Sequence, residues 1–305
     1  MAGAEQVVLK PTLHSGTPEP RHASDARDKP PIAAPNRHAS QTMGLDRKEV
    51  TIRELSAHNE MRACIDLQKR VWRGSDLDVV PQNIFVVACR TGGLLLGAFE
   101  RDSLVGFALA FPAVRHGHIY LHSHMTAVAP ELQGHGIGKR LKLAQREHSL
   151  ARNFDLIEWT FDPLQPGNAN FNIAHLGAIV REYLPNFYGN TTSALDAGLP
   201  TDRLVAEWWI REPRVEQILE GRPQPATHVR RARVPRRIRE ICAANADAAR
   251  RIQQELRQEL EELFRTSFVI TGFETDADYA TYLLECYENR DDYAARASHA
   301  SQIAL

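Results

Sequence analysis

Between Ile119 and Leu150 the chain reads IYLHSHMTAVAPELQGHGIGKRLKLAQREHSL: a β-branched and aromatic run, a glycine-rich turn, then an amphipathic stretch. Gly134, Gly136 and Gly138 remove Cβ atoms where the backbone must turn sharply. Ile137, Leu141, Ala144 and His148 recur at helical spacing, so a helix begins inside the turn. Its first amides have no intrahelical acceptor and stand at the positive end of the helix dipole. The main chain from Gln133 through His135 to Lys139 is therefore expected to cradle a diphosphate. Neither GxxxxGK[ST] nor GxGxxG with a later acidic residue is present, which excludes two other phosphate-binding glycine turns.

The rest of the composition narrows the class. At 305 residues and 43% hydrophobic content, the chain can bury one large core or two smaller ones. Lys and Arg number 37 against 38 Asp and Glu, which leaves no net field to attract nucleic acid or an anionic membrane. Cys64, Cys89, Cys242 and Cys286 lie far apart without a CxxC pair, so reduced thiols and a cytoplasmic protein are expected. No apolar run is long enough to span a bilayer, and the N-terminus lacks a secretory pattern.

Taken in order, residues 1–48 mix Pro, His, Asp, Arg, Ser and Ala without periodicity and are expected to be a disordered tail. Met43, just before the first strand, offers an alternative start. Val50 to Leu55 alternates as a strand, and Ser56 caps a helix with Met61, Cys64, Ile65, Gln68 and Trp72 on one face. Phe85 to Cys89 is a short apolar run before Gly92-Gly93. Leu94 to Glu100 and Leu104 to Phe111 form a hairpin, and Ile119 to Val128 leads into the glycine turn. Asp155 to Asp162 is a strand, Asn168 to Leu176 a short helix, and Ala178 to Leu184 and Asp202 to Ile210 are strands. Residues 212–228 are expected to be a linker. Residues 229–290 follow as a C-terminal β-α-β-β unit whose order echoes the first half of the upstream domain, and residues 291–305 as a frayed end. That unit is expected to cap a cleft or to mediate pairing into a homodimer.

Val128-Ala129-Pro130-Glu131 followed by Gln133-Gly134-His135-Gly136-Ile137-Gly138 resembles the Q/R-x-x-G-x-G/A signature and V-x-P-E lead-in of the GNAT acyltransferase superfamily. The likeness covers about residues 50 to 210, and Leu176-Gly177-Ala178 is similar to the family's L-G-F. It implies the α/β (α+β) GNAT fold, a mixed sheet with helices on both faces, here with the C-terminal extension added. It also implies an acyl-coenzyme A, such as acetyl-CoA, as co-substrate, its pantetheine arm lying where two strands splay. By position the family's oxyanion donor would be the amide of Ala127 or Val128, and an Asn touching the arm would be Asn170, beside Asn168 and Asn172. The family's N-x-x-A-x-x-x-Y tyrosine is missing, because Ala178 stands four residues after Ala174. Tyr183, Tyr188 or water would then substitute, and simple aromatic packing explains each tyrosine more readily than that role. L-H-S-H-M, K-x-x-Q-R, W-T-F-D-P-L and N-F-Y-G together resemble one subgroup of predicted GNAT acyltransferases.

Acyl transfer to an amine needs a proton acceptor for the attacking nitrogen. His122 and His124 share parity with Tyr120 and Thr126 on one strand, which places an imidazole beside the presumed thioester. A pair of hydrogen-bonded structural histidines explains them equally well. On the other splayed strand Glu158, Thr160 and Asp162 share a face, with Glu158 and Asp162 as candidate amine-binding or proton-accepting groups. His116 and His118 extend the histidine series, but only neighbours two apart lie close and Gly117 interrupts the strand, so no metal is assigned.

These readings lead to an acyl-CoA-dependent N-acyltransferase, acetyl-specific, acting on a small-molecule or peptide amine. A non-catalytic acyl-CoA sensor, an O-acyltransferase and a thioester hydrolase stay open on the same scaffold.

Overall fold

The computed structural model describes residues 50–72, 78–115, 117–189, 198–222 and 230–286. The expected tail 1–48 with Met43, His116, residues 223–228 of the expected linker and the expected frayed end 291–305 lie outside the described residues.

Among the described residues ten strands form one mixed sheet in the order β1-β2-β3-β4-β5-β7-β6-β9-β10-β8. They are β1 (Val50–Glu54), β2 (Leu94–Glu100), β3 (Ser103–Arg115), β4 (His118–Val128), β5 (Leu156–Phe161), β6 (Ile179–Leu184), β7 (Arg203–Trp209), β8 (Arg230–Pro235), β9 (Phe268–Thr275) and β10 (Tyr279–Cys286). Every neighbouring pair is antiparallel except β4 and β5. The helices are α1 (His58–Trp72), α2 (Gln82–Arg90), α3 (Ile137–Ala151), α4 (Pro166–Ala169), α5 (Pro213–Leu219), α6 (Ile238–Ala244) and α7 (Ala246–Arg265). α4 runs on into a π-turn over Asn170–His175. Among the described residues no helix is long and apolar enough to cross a membrane.

Alternation along the strands sorts the helices onto two faces. Leu55, Leu95, Phe107, Leu109 and Ala127 pack with Met61, Cys64, Leu67, Phe85 and Ala88 of α1 and α2. Leu94, Leu96, Ala108, Ala110, Ile157 and Trp159 face the other way, onto Ile137 and Leu141 of α3, in a core that extends to Leu256 and Leu260 of α7. The Phe85–Cys89 run is thus part of a second helix, absent from the expected element order.

Two further expectations change. The helical region from Ile238 to Phe264 is broken at Asn245, whose side chain accepts from the Ala248 amide at 3.0 Å and caps α7. Part of the expected linker is helix α5, where Val215 and Ile218 close on Gly177, a residue held at φ +82°. The C-terminal strands continue the sheet, with Val180 of β6 opposite Ile270 of β9. β8 pairs with β10 rather than with β9, whereas β1 pairs with β2, so the two β-α-β-β segments differ in strand order and do not form a half-repeat.

Candidate active site

Pro130–Leu132 makes one 3-10 turn after β4, and α3 starts at Ile137 with Gly136 as its cap. Gly134 and Gly136 have φ of +80° and +84°, the left-handed region that an L-residue enters at a cost of roughly 1–2 kcal/mol. Nothing lies within 4 Å of where a Cβ would stand at either, so backbone conformation rather than crowding demands glycine there. The Gln133 Nε2 donates to the Val128 carbonyl at 3.1 Å, and His135 Nδ1 sits 3.0 Å from the Gln133 carbonyl, which ties the turn back to β4. The first bond of α3 runs from the Arg140 amide to the Gly136 carbonyl. By helix geometry the amides of Ile137, Gly138 and Lys139 then have no intrahelical acceptor. The turn is exposed from Gln133 to Gly136, and its chemistry fits a diphosphate. Arg140 is otherwise engaged, because its guanidinium donates to the Val50 carbonyl.

The inner stripe of α3 differs from the expected one. Ile137, Leu141, Lys142, Gln145 and Ser149 are buried, while Ala144 is half-buried and His148 turns to Glu54 at 2.8 Å. A lysine and a glutamine thus face the sheet.

β4 and β5 pair only at Leu121 with Ile157 and at His122 with Glu158, although β4 runs on to Val128 and β5 to Phe161. The parallel ladder ends there and the strands part. Opposite this point, Leu109 and Ala110 of β3 pair with Met125 and Ser123, which leaves His124 as an extra residue, a β-bulge. The bulge inverts side-chain parity. Leu121 and Ser123 face α3, whereas Met125 and Ala127 face α1 and α2. Thr126 is therefore not on the histidine face, contrary to the simple alternation. Past the bulge the Ala129 amide donates to Val105 of β3 at 2.8 Å, in an unbroken register. Antiparallel alternation turns the Ala127 amide the same way and the Val128 amide toward the parting strands.

On the face of α1 and α2, His122 and His124 stand 6.2 Å apart between ring centroids, with Phe111 edge-on to His124 at 5.6 Å. Loss of water pushes the His122 pKa down to about 4, helped by the nearby charges of His124, Lys142 and Arg115. Desolvation lowers the His124 pKa as well, although the residue is exposed at the surface. Glu158 is 2% exposed, and burial raises its pKa to about 7. Arg115 opposes that rise from 2.9 Å, while the charges of Glu207 and Glu182 add to it. Arg115 also reaches Glu182 at 3.1 Å, and Arg181 grips Glu207 through both carboxylate oxygens at 2.7 and 2.9 Å. Arg115, Arg181, Glu182 and Glu207 carry no motif. Only the register, which sets Glu158 opposite both His122 and Glu207, brings them together.

The remaining sequence candidates are dispersed. Asp162 accepts from the Leu164 amide at 2.8 Å, an Asx turn that closes the end of β5. Asn170 stands half-buried where α4 passes into the π-turn, Asn168 is exposed and Asn172 is buried. Ala178 is buried at the position where a tyrosine was sought. The Tyr183 hydroxyl donates to Asp202 at 2.6 Å, and burial raises its pKa far above the ordinary phenol. Tyr188 is exposed, with its hydroxyl 2.9 Å from Thr160. Among the described residues no three His, Cys, Asp or Glu side chains come together as a metal site; His116 lies outside them.

Residues 61–171 match the model of the acetyltransferase (GNAT) family. No curated protein matches the chain. Among solved structures, the chain is similar to the ribosomal-protein-S18-alanine N-acetyltransferase from Escherichia coli, with 15% identity, 54% of this chain and 96% of that one covered, and a TM-score of 0.44. A GNAT family acetyltransferase from Elizabethkingia anophelis with acetyl-CoA bound shares 15% identity over 52% of this chain and 97% of its own, with a TM-score of 0.40. A phosphinothricin acetyltransferase from Sinorhizobium meliloti in complex with AcCoA shares 16% identity over 52% and 86%, with a TM-score of 0.41.

Proposed function

The chain belongs to the GNAT superfamily of acetyltransferases through residues 61–171, and from that premise we propose that it moves an acyl group from acyl-coenzyme A directly to an amine. The observation that carries this reading is the join between two features. β4 parts from β5 after His122 and Glu158 and then runs on into a turn whose helix-start amides have no intrahelical acceptor. The amides from Gln133 to Lys139, with the charge of Lys139, would hold the diphosphate. The Val128 amide, turned into the gap, is placed to donate to a developing oxyanion.

The acyl thioester supplies an activated carbonyl. His122, neutral at physiological pH because of its burial, takes the proton of the attacking nitrogen, with His124 beside it. Glu158 lies at the same level of the adjoining strand and orients the amine. Because this face carries both carboxylates and guanidinium groups, it suits a polar amine, a small molecule or a peptide, rather than an apolar one.

The test is calorimetric titration with coenzyme A and acetyl-CoA, followed by thiol release with a panel of amines. Micromolar binding with amine-dependent thiol release is expected. Absence of binding sinks the reading. Binding without thiol release supports the second reading, an acyl-CoA sensor, which the buried alanine at position 178 favours.

A further inference from the structure

The Lys142 side chain is 4% exposed and reaches from α3 to the sheet. Its Nζ donates to Ser123 Oγ at 2.8 Å and to Gln145 Oε1 at 3.2 Å, and lies 3.7 Å from the centroid of the Trp159 ring. Ser123 and Trp159 each follow directly on the last paired residues of the parallel ladder, His122 and Glu158. The amine therefore straddles β4 and β5 at the spot where they part. Among the described residues its partners include no carboxylate, so an ammonium there is buried with two neutral acceptors and an aromatic face but no opposite charge, an expensive arrangement for mere packing. The adjoining Gln145 Nε2 is also buried and has no hydrogen-bond partner among the described residues. A buried amine held only by neutral groups and a buried amide nitrogen without an acceptor thus adjoin one another, and neither the diphosphate turn nor the histidine face uses them.

We propose that Lys142 is a catalytic residue, the general acid that returns a proton to the departing thiolate. The inference rests on the acyl-transfer reading above. In the balanced step the acceptor nitrogen forms the new C–N bond and the C–S bond breaks with its electron pair on sulfur. The Lys142 ammonium gives its proton to that sulfur and becomes a neutral amine, while the proton shed by the nitrogen goes to His122. Desolvation supports the role by bringing the Lys142 pKa down to about 7, below the roughly 8.5 of a free thiol, so the transfer runs downhill. The groups facing Nζ from β4, β5 and α3 are Ser123, Trp159 and Gln145, and the titratable group that feels its charge is His122 across the sheet. Tyr183 is committed to Asp202, and Tyr188 is exposed at Thr160, so neither phenol is placed as Lys142 is.

The experiment uses the full chain, wild type and Lys142→Met, an apolar side chain of similar length. Ultraviolet absorbance follows the thiolate of bound coenzyme A against pH. Loss of the ammonium is expected to move its appearance up by about one pH unit. In parallel, amine acetylation is measured with acetyl-CoA and with an acetyl thioester of an acidic aryl thiol. Lys142→Met should slow the first roughly a hundredfold and the second little, because an acidic thiol leaves without help. An unchanged thiolate titration with equal loss on both donors overturns the proposal. Should Lys142→Met fail to fold, the wild type alone decides. Little dependence of rate on the leaving thiol's acidity supports the acid, and steep dependence removes it. Failure of the wild type to bind coenzyme A is a separate result, and it strikes the transferase reading itself.

Discussion

Arg257 on α7 closes on both oxygens of Asp202, at 2.7 and 2.6 Å, and Asp202 has no exposed surface. The same carboxylate accepts from the Tyr183 hydroxyl at 2.6 Å and from the Asn186 amide at 2.9 Å. One buried charge thus joins the C-terminal helix to β6, to the start of β7 and to the connection that presents Tyr188. Truncating Arg257 to Met leaves that carboxylate buried and unpaired. A loss of about 3–5 kcal/mol is expected in urea unfolding, and Asp202→Asn added to Arg257→Met should recover much of it.

Gly136 is constrained by its φ of +84° and not by its neighbours. Gly136→Ala should therefore fold, with a strain of roughly 1–2 kcal/mol relieved by reshaping the turn. Coenzyme A affinity is expected to fall about tenfold in calorimetry, the equivalent of 1.4 kcal/mol.

His122 has its pKa lowered from 6.5 to about 4 by folding, so the folded chain binds fewer protons than the unfolded one between those values. Its contribution to stability is complete above about pH 6.5 and is lost as the pH falls toward 4. Thermal melting from pH 7 to 4 should show a steeper decline in wild type than in His122→Gln. The same variant should acylate amines roughly a hundredfold more slowly at pH 7.

Glu158 works in the opposite sense. Its pKa is raised from 4.5 to about 7, so its contribution to stability is present below 4.5 and lost as the pH rises through 7. Glu158→Gln mimics the protonated form. Its melting temperature relative to wild type is expected to climb between pH 5 and pH 8. Its KM for the amine should rise more than kcat falls, which separates an orienting group from a base.

Much of the sheet was legible along the chain because strand alternation and glycine punctuation are local signals. Leu94 to Phe111 reads as a hairpin and folds as β2 and β3, and Asp155 to Asp162 reads as a strand and folds as β5. The Phe85 run went unread as a helix because five apolar residues in a row have no period, and only packing under α1 gives them one. The face of Thr126 was misjudged because strict alternation assumes an unbulged strand, and the extra residue at His124 appears only in pairing with β3. Lys142 and Gln145 stood within a recognised pattern but without a role. A helical stripe scored by hydrophobicity passes over polar residues that point inward.

The residue order alone determined the left-handed glycine turn at the start of α3. Positive φ at Gly134 and Gly136 and the free amides of a helix start are properties of a few consecutive residues. The tertiary structure decided where the candidate groups stand. The parting of β4 from β5, the grouping of Arg115, Glu158 and Glu182, and the burial of Lys142 between Ser123 and Trp159 all depend on register between strands distant in sequence. A pKa depends on how much water is excluded and which charges remain near, and the chain acquires both only when those strands meet.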